Sequence, residues 1–139
     1  WVIVDSFPLL DGIAMTALDL AARVWVVMTS AVPTLRGGVT FLRIIDRLGV
    51  PPERVRIALN APQPRFTGAL AKADVTGRLN RKVDAIIPFN KQILISADLG
   101  QPFGLRKHAL SRTQKALRNI VHDIENLSAV AAHTTEIES

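Results

Sequence analysis

Residues 23–60 read RVWVVMTSAVPTLRGGVTFLRIIDRLGVPPERVRIALN, with an apolar run at each end and a helical pattern between them. The runs at Arg23–Ser30 and Val55–Asn60 are rich in β-branched residues and lack alternation, which is typical of strands covered on both faces. Thr34–Leu48 carries apolar residues at helical spacing, and Gly49 stands where a helix ends in a left-handed residue. This order predicts two parallel strands joined by a right-handed crossover.

The same alternation extends along the chain in both directions. Two further β-branched runs, Val2–Asp5 and Val83–Phe89, are predicted strands. Four more helices are predicted, at Leu9–Ala22, Thr67–Leu79, Asn90–Leu99 and Lys107–Leu127. The 139 residues suit one α/β domain, a parallel sheet with flanking helices over residues 1–127, and we expect residues 128–139 to form a flexible tail.

Composition excludes several classes of protein. Cysteine is absent, so disulfides, iron–sulfur clusters and thiolate zinc sites are excluded. The three histidines have no metal-binding spacing, and no apolar run approaches the ~18 residues that span a bilayer. The net charge of +5 favours anionic partners such as phosphate, nucleic acid or lipid headgroups. The alternative is that this chain is a piece of a larger protein whose charge is unevenly distributed along its sequence.

The last predicted helix is amphipathic. Its apolar stripe comprises Leu110, Leu117, Ile120, Val121, Ile124 and Leu127, and its opposite face carries Arg112, Lys115, Arg118 and His122. The simpler interpretation is a closing helix that packs its stripe on the sheet. The alternative is a cationic face that contacts anionic lipid or DNA.

Polar residues stand where the predicted strands end. Asp5, Asn60 and the Pro88–Asn90 stretch each follow an apolar run, and the carboxyl ends of parallel strands lie along one edge where ligands bind. A carboxylate there suits magnesium, and an amide suits the edge of a nucleobase. Solvent exposure alone also makes strand ends polar. A phosphate-binding loop G-x-x-x-x-G-K-[ST] is absent, since the Gly37-Gly38 pair lies inside a predicted helix.

Short motifs in a fixed order carry a resemblance to a known family. VIVD at 2–5, RVRIALN at 54–60, IIPFN at 86–90 and ISADLGQPF at 95–103 resemble the carboxyl-terminal half of ParA/MinD-type deviant-Walker ATPases. The resemblance runs from Val2 to about Leu127. The stretches at 73–90 and 98–117 look most like the CpaE/TadZ branch, which is associated with Flp/Tad pilus assembly. The resemblance to the ParA/MinD family implies a Rossmann-like, doubly wound fold, which would be part of a P-loop NTPase domain without its Walker A half.

The resemblance also implies roles for particular residues. Asp5 would be the magnesium-linked aspartate of the Walker B strand, and Asn60 would contact adenine. Pro88, Phe89 and Asn90 would form the loop beside the base, with Asn90 replacing the usual aspartate. No catalytic residue carries over. ATP and Mg²⁺ are therefore expected in the full-length parent, and neither is expected to bind tightly to this chain alone.

The implied function is a nucleotide-dependent localisation or assembly factor of Flp/Tad pili. Such proteins form homodimers, and the expected partners are pilus-secretion proteins, at a cytoplasmic location or at the inner membrane or cell pole. The alternatives are a ParA-type DNA-partition ATPase, a MinD-like membrane-associated ATPase, and a non-enzymatic interaction domain with a degenerate site. Since the first apolar run reads as the middle of such a domain, we expect this chain to be an inactive fragment of a possible ATPase.

Overall fold

The computed structural model describes residues 2–6, 10–64, 70–105 and 111–137, and of residues 128–137 the backbone only. Its sheet has three parallel strands in the order β1-β2-β3: β1 is Val24–Met28, β2 is Val55–Asn60 and β3 is Ala85–Ile87. The register pairs Val24 with Val55 and Asn60 with Ile87. The predicted parallel α/β fold is therefore confirmed.

Five helices accompany the strands. They are α1 (Gly12–Leu20), α2 (Val32–Arg47), α3 (Lys72–Leu79), α4 (Lys91–Asp98) and α5 (Arg112–Ile137), with 3₁₀ turns at Pro52–Arg54 and Phe103–Leu105. Local signals fix several of their ends. Asp11 caps α1 by accepting a hydrogen bond from the Ala14 amide at 2.8 Å. Gly49, as predicted, follows α2 with φ +80°.

The core lies between one face of the sheet and helices α2 and α3. Alternate residues of β1 and β2 point to this face because successive strand side chains alternate. Its most buried side chains are Leu35, Ile45, Ile57, Val75 and Val83, each at most 2% exposed. A shared apolar layer of this kind holds a crossover helix against its two strands.

Helix α5 is held to the sheet by ion pairs as well as by packing. It contacts β3, and Asp123 forms ion pairs with both Arg23 and Arg56, with nitrogen–oxygen distances of 2.9 and 3.5 Å. Arg23 directly precedes β1 and Arg56 is the second residue of β2, so one carboxylate joins α5 to the starts of two strands. Helix α1 is held at its carboxyl end, where Arg54 donates to the Leu18 carbonyl at 2.8 Å and to that of Ala21.

Three expectations about the elements need correction. Residues 2–6 form no strand, because they pair with no other strand and a lone extended segment has no ladder to stabilise it. The run predicted at Val83–Phe89 forms only Ala85–Ile87. Val121 is 50% exposed, so it lies outside the stripe of α5 that packs on the sheet.

The last helix, α5, is longer than predicted. The backbone stays helical through Ile137, ten residues past the predicted end at Leu127, so the expected tail continues α5. The expected starts of three helices, at Leu9, Thr67 and Lys107, and the stripe residue Leu110 lie outside the described residues. Across the described part of the chain, no helix combines the length and apolar character needed to cross a membrane.

Candidate functional site

The structure brings Asn60 next to the loop that follows β3. Asn60 is the last residue of β2 and pairs with Ile87, and the Ala61 amide donates to the Ile87 carbonyl at 2.9 Å. Pro88, Phe89 and Asn90 continue directly from there. The parallel pairing therefore places four of the five predicted site residues at one sheet edge.

The Asn60 side chain is available for a ligand. It is half-buried, and within the described residues its amide makes no hydrogen bond. A side-chain amide offers both a donor and an acceptor, which is the pattern that the edge of a nucleobase presents. Pro88 and Phe89 are half-buried beside it and add apolar surface. Together these groups can take up a flat, polar-edged heterocycle.

Asn90 has a structural task at this edge. Its side-chain oxygen accepts a hydrogen bond from the Gln92 amide at 3.0 Å and so caps the first turn of α4. The oxygen is occupied, whereas the side-chain NH₂ group keeps both of its protons for other contacts. An aspartate at this position would offer the same cap, so asparagine allows the same geometry without a negative charge.

Thr113 fixes the loop from the other side, and sequence reasoning did not find it. Its side chain is 2% exposed, and its hydroxyl donates to the Pro88 carbonyl at 3.2 Å. Thr113 lies in the first turn of α5, four residues before Leu117. A hydroxyl at the inward-facing end of an apolar stripe is the signal that could have revealed it, because a buried hydroxyl needs a partner.

Asp5 stands apart from this cluster. It is exposed and lines a groove of about 960 Å³ along β1, together with Val4, Ser6 and Thr34. The groove is lined by no residue of β2 or β3. The structure therefore leaves Asp5 on the opposite side of β1 from Asn60.

Asp5 on its own fits only part of a magnesium site. Within the described residues there is no group of three histidine, cysteine, aspartate or glutamate side chains placed to hold a metal. Magnesium in nucleotide sites commonly takes one or two carboxylates, with phosphates and waters as its other ligands. One exposed carboxylate is compatible with that arrangement, provided that the phosphates are held by other groups.

The outer face of α5 carries the expected cations. Arg112, Lys115, Arg118 and His122 are all exposed, and none of them makes an ion pair within the described residues. We call Arg112, Lys115 and Arg118 the cationic face. Its charges are free to meet an anionic surface.

An open parallel sheet, helices on both faces and a ligand edge at the strand ends define a class of α/β domains that bind ligands at that edge. No protein-family model matches this chain. A curated relative, the septum site-determining protein MinD of Thermotoga maritima, is 24% identical over 127 residues, which are 89% of this chain and 46% of the relative.

Solved structures agree with that relative. The ParA family ATPase of Chlorobium tepidum gives a TM-score of 0.64 at 18% identity, covering 76% of this chain and 43% of the other. MinD of Aquifex aeolicus gives a TM-score of 0.65 at 14% identity, covering 79% of this chain and 46% of the other. The MinC:MinD complex of the same organism gives a TM-score of 0.68 at 14% identity, covering 84% of this chain and 48% of the other.

The solved structures show the fold of the ParA/MinD P-loop NTPases, and the likeness to the curated MinD supports that superfamily for this chain. The chain spans about half the length of the relatives that it matches.

Proposed function

We propose that this chain forms the base-binding part of an ATP-binding domain of the ParA/MinD kind. The observation that carries the proposal is the free Asn60 amide beside the Pro88–Asn90 loop, at the carboxyl edge of a sheet with this fold. An open parallel sheet binds its ligands at that edge.

Each residue has a part in this proposal. Asn60 hydrogen-bonds the edge of adenine, and Pro88 and Phe89 supply apolar surface for the ring. Asn90 holds the loop through its cap on α4. Asp5 holds Mg²⁺ through a water, and the metal then neutralises phosphate charge. The phosphate loop is not among these residues, so this chain alone binds ATP weakly and hydrolyses none.

The proposed cellular role is nucleotide-dependent localisation. The curated relative is a septum site-determining protein, which favours a MinD-like factor that associates with a membrane surface from the cytoplasm as a dimer. The cationic face supports an anionic surface as its target. A second candidate is the CpaE/TadZ role with pilus-secretion proteins as partners, which rests on the sequence at 73–90 and 98–117.

The proposal is tested by nucleotide selectivity. We expect NMR titration of this chain with Mg·ATP to show weak binding with shifts at Asn60 and the Pro88–Asn90 loop, and a preference for ATP over GTP. Asn60→Ala should reduce that preference by about tenfold, because one hydrogen-bonding group is lost from the base edge. Asn119→Ala, which changes an exposed asparagine on α5, is the control and should leave the preference intact.

Two results would contradict the proposal. If ATP shifts no resonance around Asn60, or if Asn60→Ala leaves the preference unchanged, this edge is not the base site. Nanomolar ATP binding by the chain alone would show that it contains a complete phosphate site.

A further inference from the structure

A pocket lies at the opposite end of the sheet from the proposed base site. The pairing of β2 with β3 begins at Ala58 and Ala85. Ahead of these residues, the start of β2, residues 80–84 and one side of α5 enclose a pocket of about 780 Å³. This volume is within the range of pockets that hold small organic ligands. Apart from Trp25 of β1, all of its walls come from segments between residues 52 and 123, and none of residues 2–6 lines it.

An aromatic side chain forms part of the pocket. Trp25 and Arg56 are partners in the β1–β2 register and share the face of the sheet from which Asp123 of α5 reaches Arg56. Ile120, one turn before Asp123, lines the pocket as well. The indole N–H of Trp25 is buried and makes no hydrogen bond within the described residues. Because buried donors are usually paired, an acceptor at this wall would stabilise it.

Two basic side chains of the pocket are available to an anion. Lys82 is exposed and makes no ion pair within the described residues. Arg56 donates from Nη1 to the Glu53 carbonyl at 2.9 Å, and its Nε lies 3.5 Å from a carboxylate oxygen of Asp123. These contacts hold the guanidinium in place and leave Nη2 for a further acceptor. Hydrogen bonds from such cations to an oxyanion are stronger than those between neutral groups.

The two carboxylates that line the pocket are already engaged. Asp123 is paired with Arg23 at 2.9 Å as well as with the guanidinium described above, so two arginines offset its charge. Asp84 accepts a hydrogen bond from the Ile57 amide and is exposed, so water screens its charge. The charge of Lys82 has no such partner, and the pocket therefore favours an anion over a cation.

We propose that this pocket binds a small organic anion, with a carboxylate or phosphate group on an apolar body. Lys82 and Arg56 hold the oxyanion, and Trp25 and Ile120 contact the apolar part. The site does not rest on the proposed base site, because Asn60 lies at the other end of β2. Its failure would leave base binding unaffected.

Tryptophan fluorescence tests the pocket directly. The chain has two tryptophans, so Trp1→Phe leaves Trp25 as the reporter. We expect benzoate and phenyl phosphate to change this fluorescence with saturation at millimolar concentrations, whereas benzyl alcohol, which is neutral, should bind about tenfold more weakly. Saturation by phenyl phosphate alone would identify phosphate as the group that is bound, and saturation by benzoate alone would identify a carboxylate.

Substitutions of the two cations locate the binding. Lys82→Gln should weaken binding of the tighter probe about fivefold, because a charge-assisted hydrogen bond is lost. Lys72→Gln, at an exposed lysine of α3 that does not line the pocket, removes the same charge and should leave binding unchanged. Arg56→Met keeps the aliphatic stem, leaves Asp123 paired with Arg23, and should weaken binding about tenfold.

Both lysine variants should unfold at the wild-type urea midpoint, since both side chains are exposed, so a loss of binding reports on the pocket and not on folding. The proposal is overturned if no probe changes the Trp25 fluorescence, or if benzyl alcohol binds as tightly as the two anions. Equal weakening by Lys82→Gln and Lys72→Gln would overturn it as well, because net charge alone would then account for binding.

Discussion

The Thr113 hydroxyl links the last long helix to the loop beside the proposed base site. It is buried and donates to the Pro88 carbonyl, so the position of the loop depends on the first turn of α5. Asn90 holds the same loop at its other end through its cap on α4. Two small polar side chains therefore fix the backbone from which Phe89 projects.

Replacement of Thr113 by valine tests this link. Thr113→Val keeps the shape of the side chain and removes the donor, which should cost about 1 kcal/mol of unfolding free energy. Hydrogen exchange should become faster at residues 88–92. Thr113→Ser keeps the hydroxyl and is the control. If Thr113→Val and wild type exchange at the same rate in this loop, Thr113 does not hold it.

At the scale of elements, β3 is too short to hold its place by strand pairing alone. It has three residues, and the segment before it adds a side-chain link to β2. The Ile57 amide donates to an Asp84 carboxylate oxygen at 2.9 Å, and the Asp84 amide donates to the Ile57 carbonyl at 2.9 Å. Asp84 thus extends the ladder between the two strands that carry the candidate site.

Asp84→Ala would leave the Ile57 amide without this acceptor. Because Ile57 is 1% exposed, its amide gains little from water, and we expect a loss of about 1–3 kcal/mol in urea unfolding. Asp84→Asn keeps an oxygen acceptor and should lose clearly less. Equal losses for alanine and asparagine would mean that the charge of Asp84, and not its hydrogen bond, stabilises the sheet.

At the scale of the whole molecule, the cationic face places three basic side chains together on the exposed side of α5. The cationic face of α5 is exposed along one side of the helix, and the chain has a net charge of +5. Charges in this arrangement attract anionic headgroups by about 1 kcal/mol per basic residue near the surface. The attraction falls as salt screens it.

We therefore expect this chain to bind vesicles that contain anionic lipid and to release them at high salt. Replacement of Arg112, Lys115 and Arg118 by glutamine should abolish sedimentation with the vesicles. The control replaces Arg36, Arg43 and Arg47, three exposed arginines of α2, and removes the same charge. If both triple variants lose binding equally, net charge alone is responsible. Salt-sensitive binding to duplex DNA without vesicle binding would favour the partition alternative.

Much of the fold could be predicted because its signals are local. The β-branched runs at Arg23–Ser30 and Val55–Asn60, the helical stripe between them and Gly49 each report on nearby residues. The resemblance to ParA/MinD proteins is supported at the level of the superfamily, whereas the CpaE/TadZ branch stays a prediction. The structure gathers Asn60, Pro88, Phe89 and Asn90 at one edge, as parallel order requires, and their roles with nucleotide stay predictions.

The sequence by itself determined the order of the elements, their parallel arrangement and the edge at which the polar strand ends meet. Only the tertiary structure decided whether each apolar run becomes a strand. Val2–Asp5 has the composition of one and forms none, because a strand exists only when another strand satisfies its backbone groups. The Thr113 link and the Asp123 ion pairs were decided in the same way. They join residues far apart in the chain, and no local pattern records such a contact.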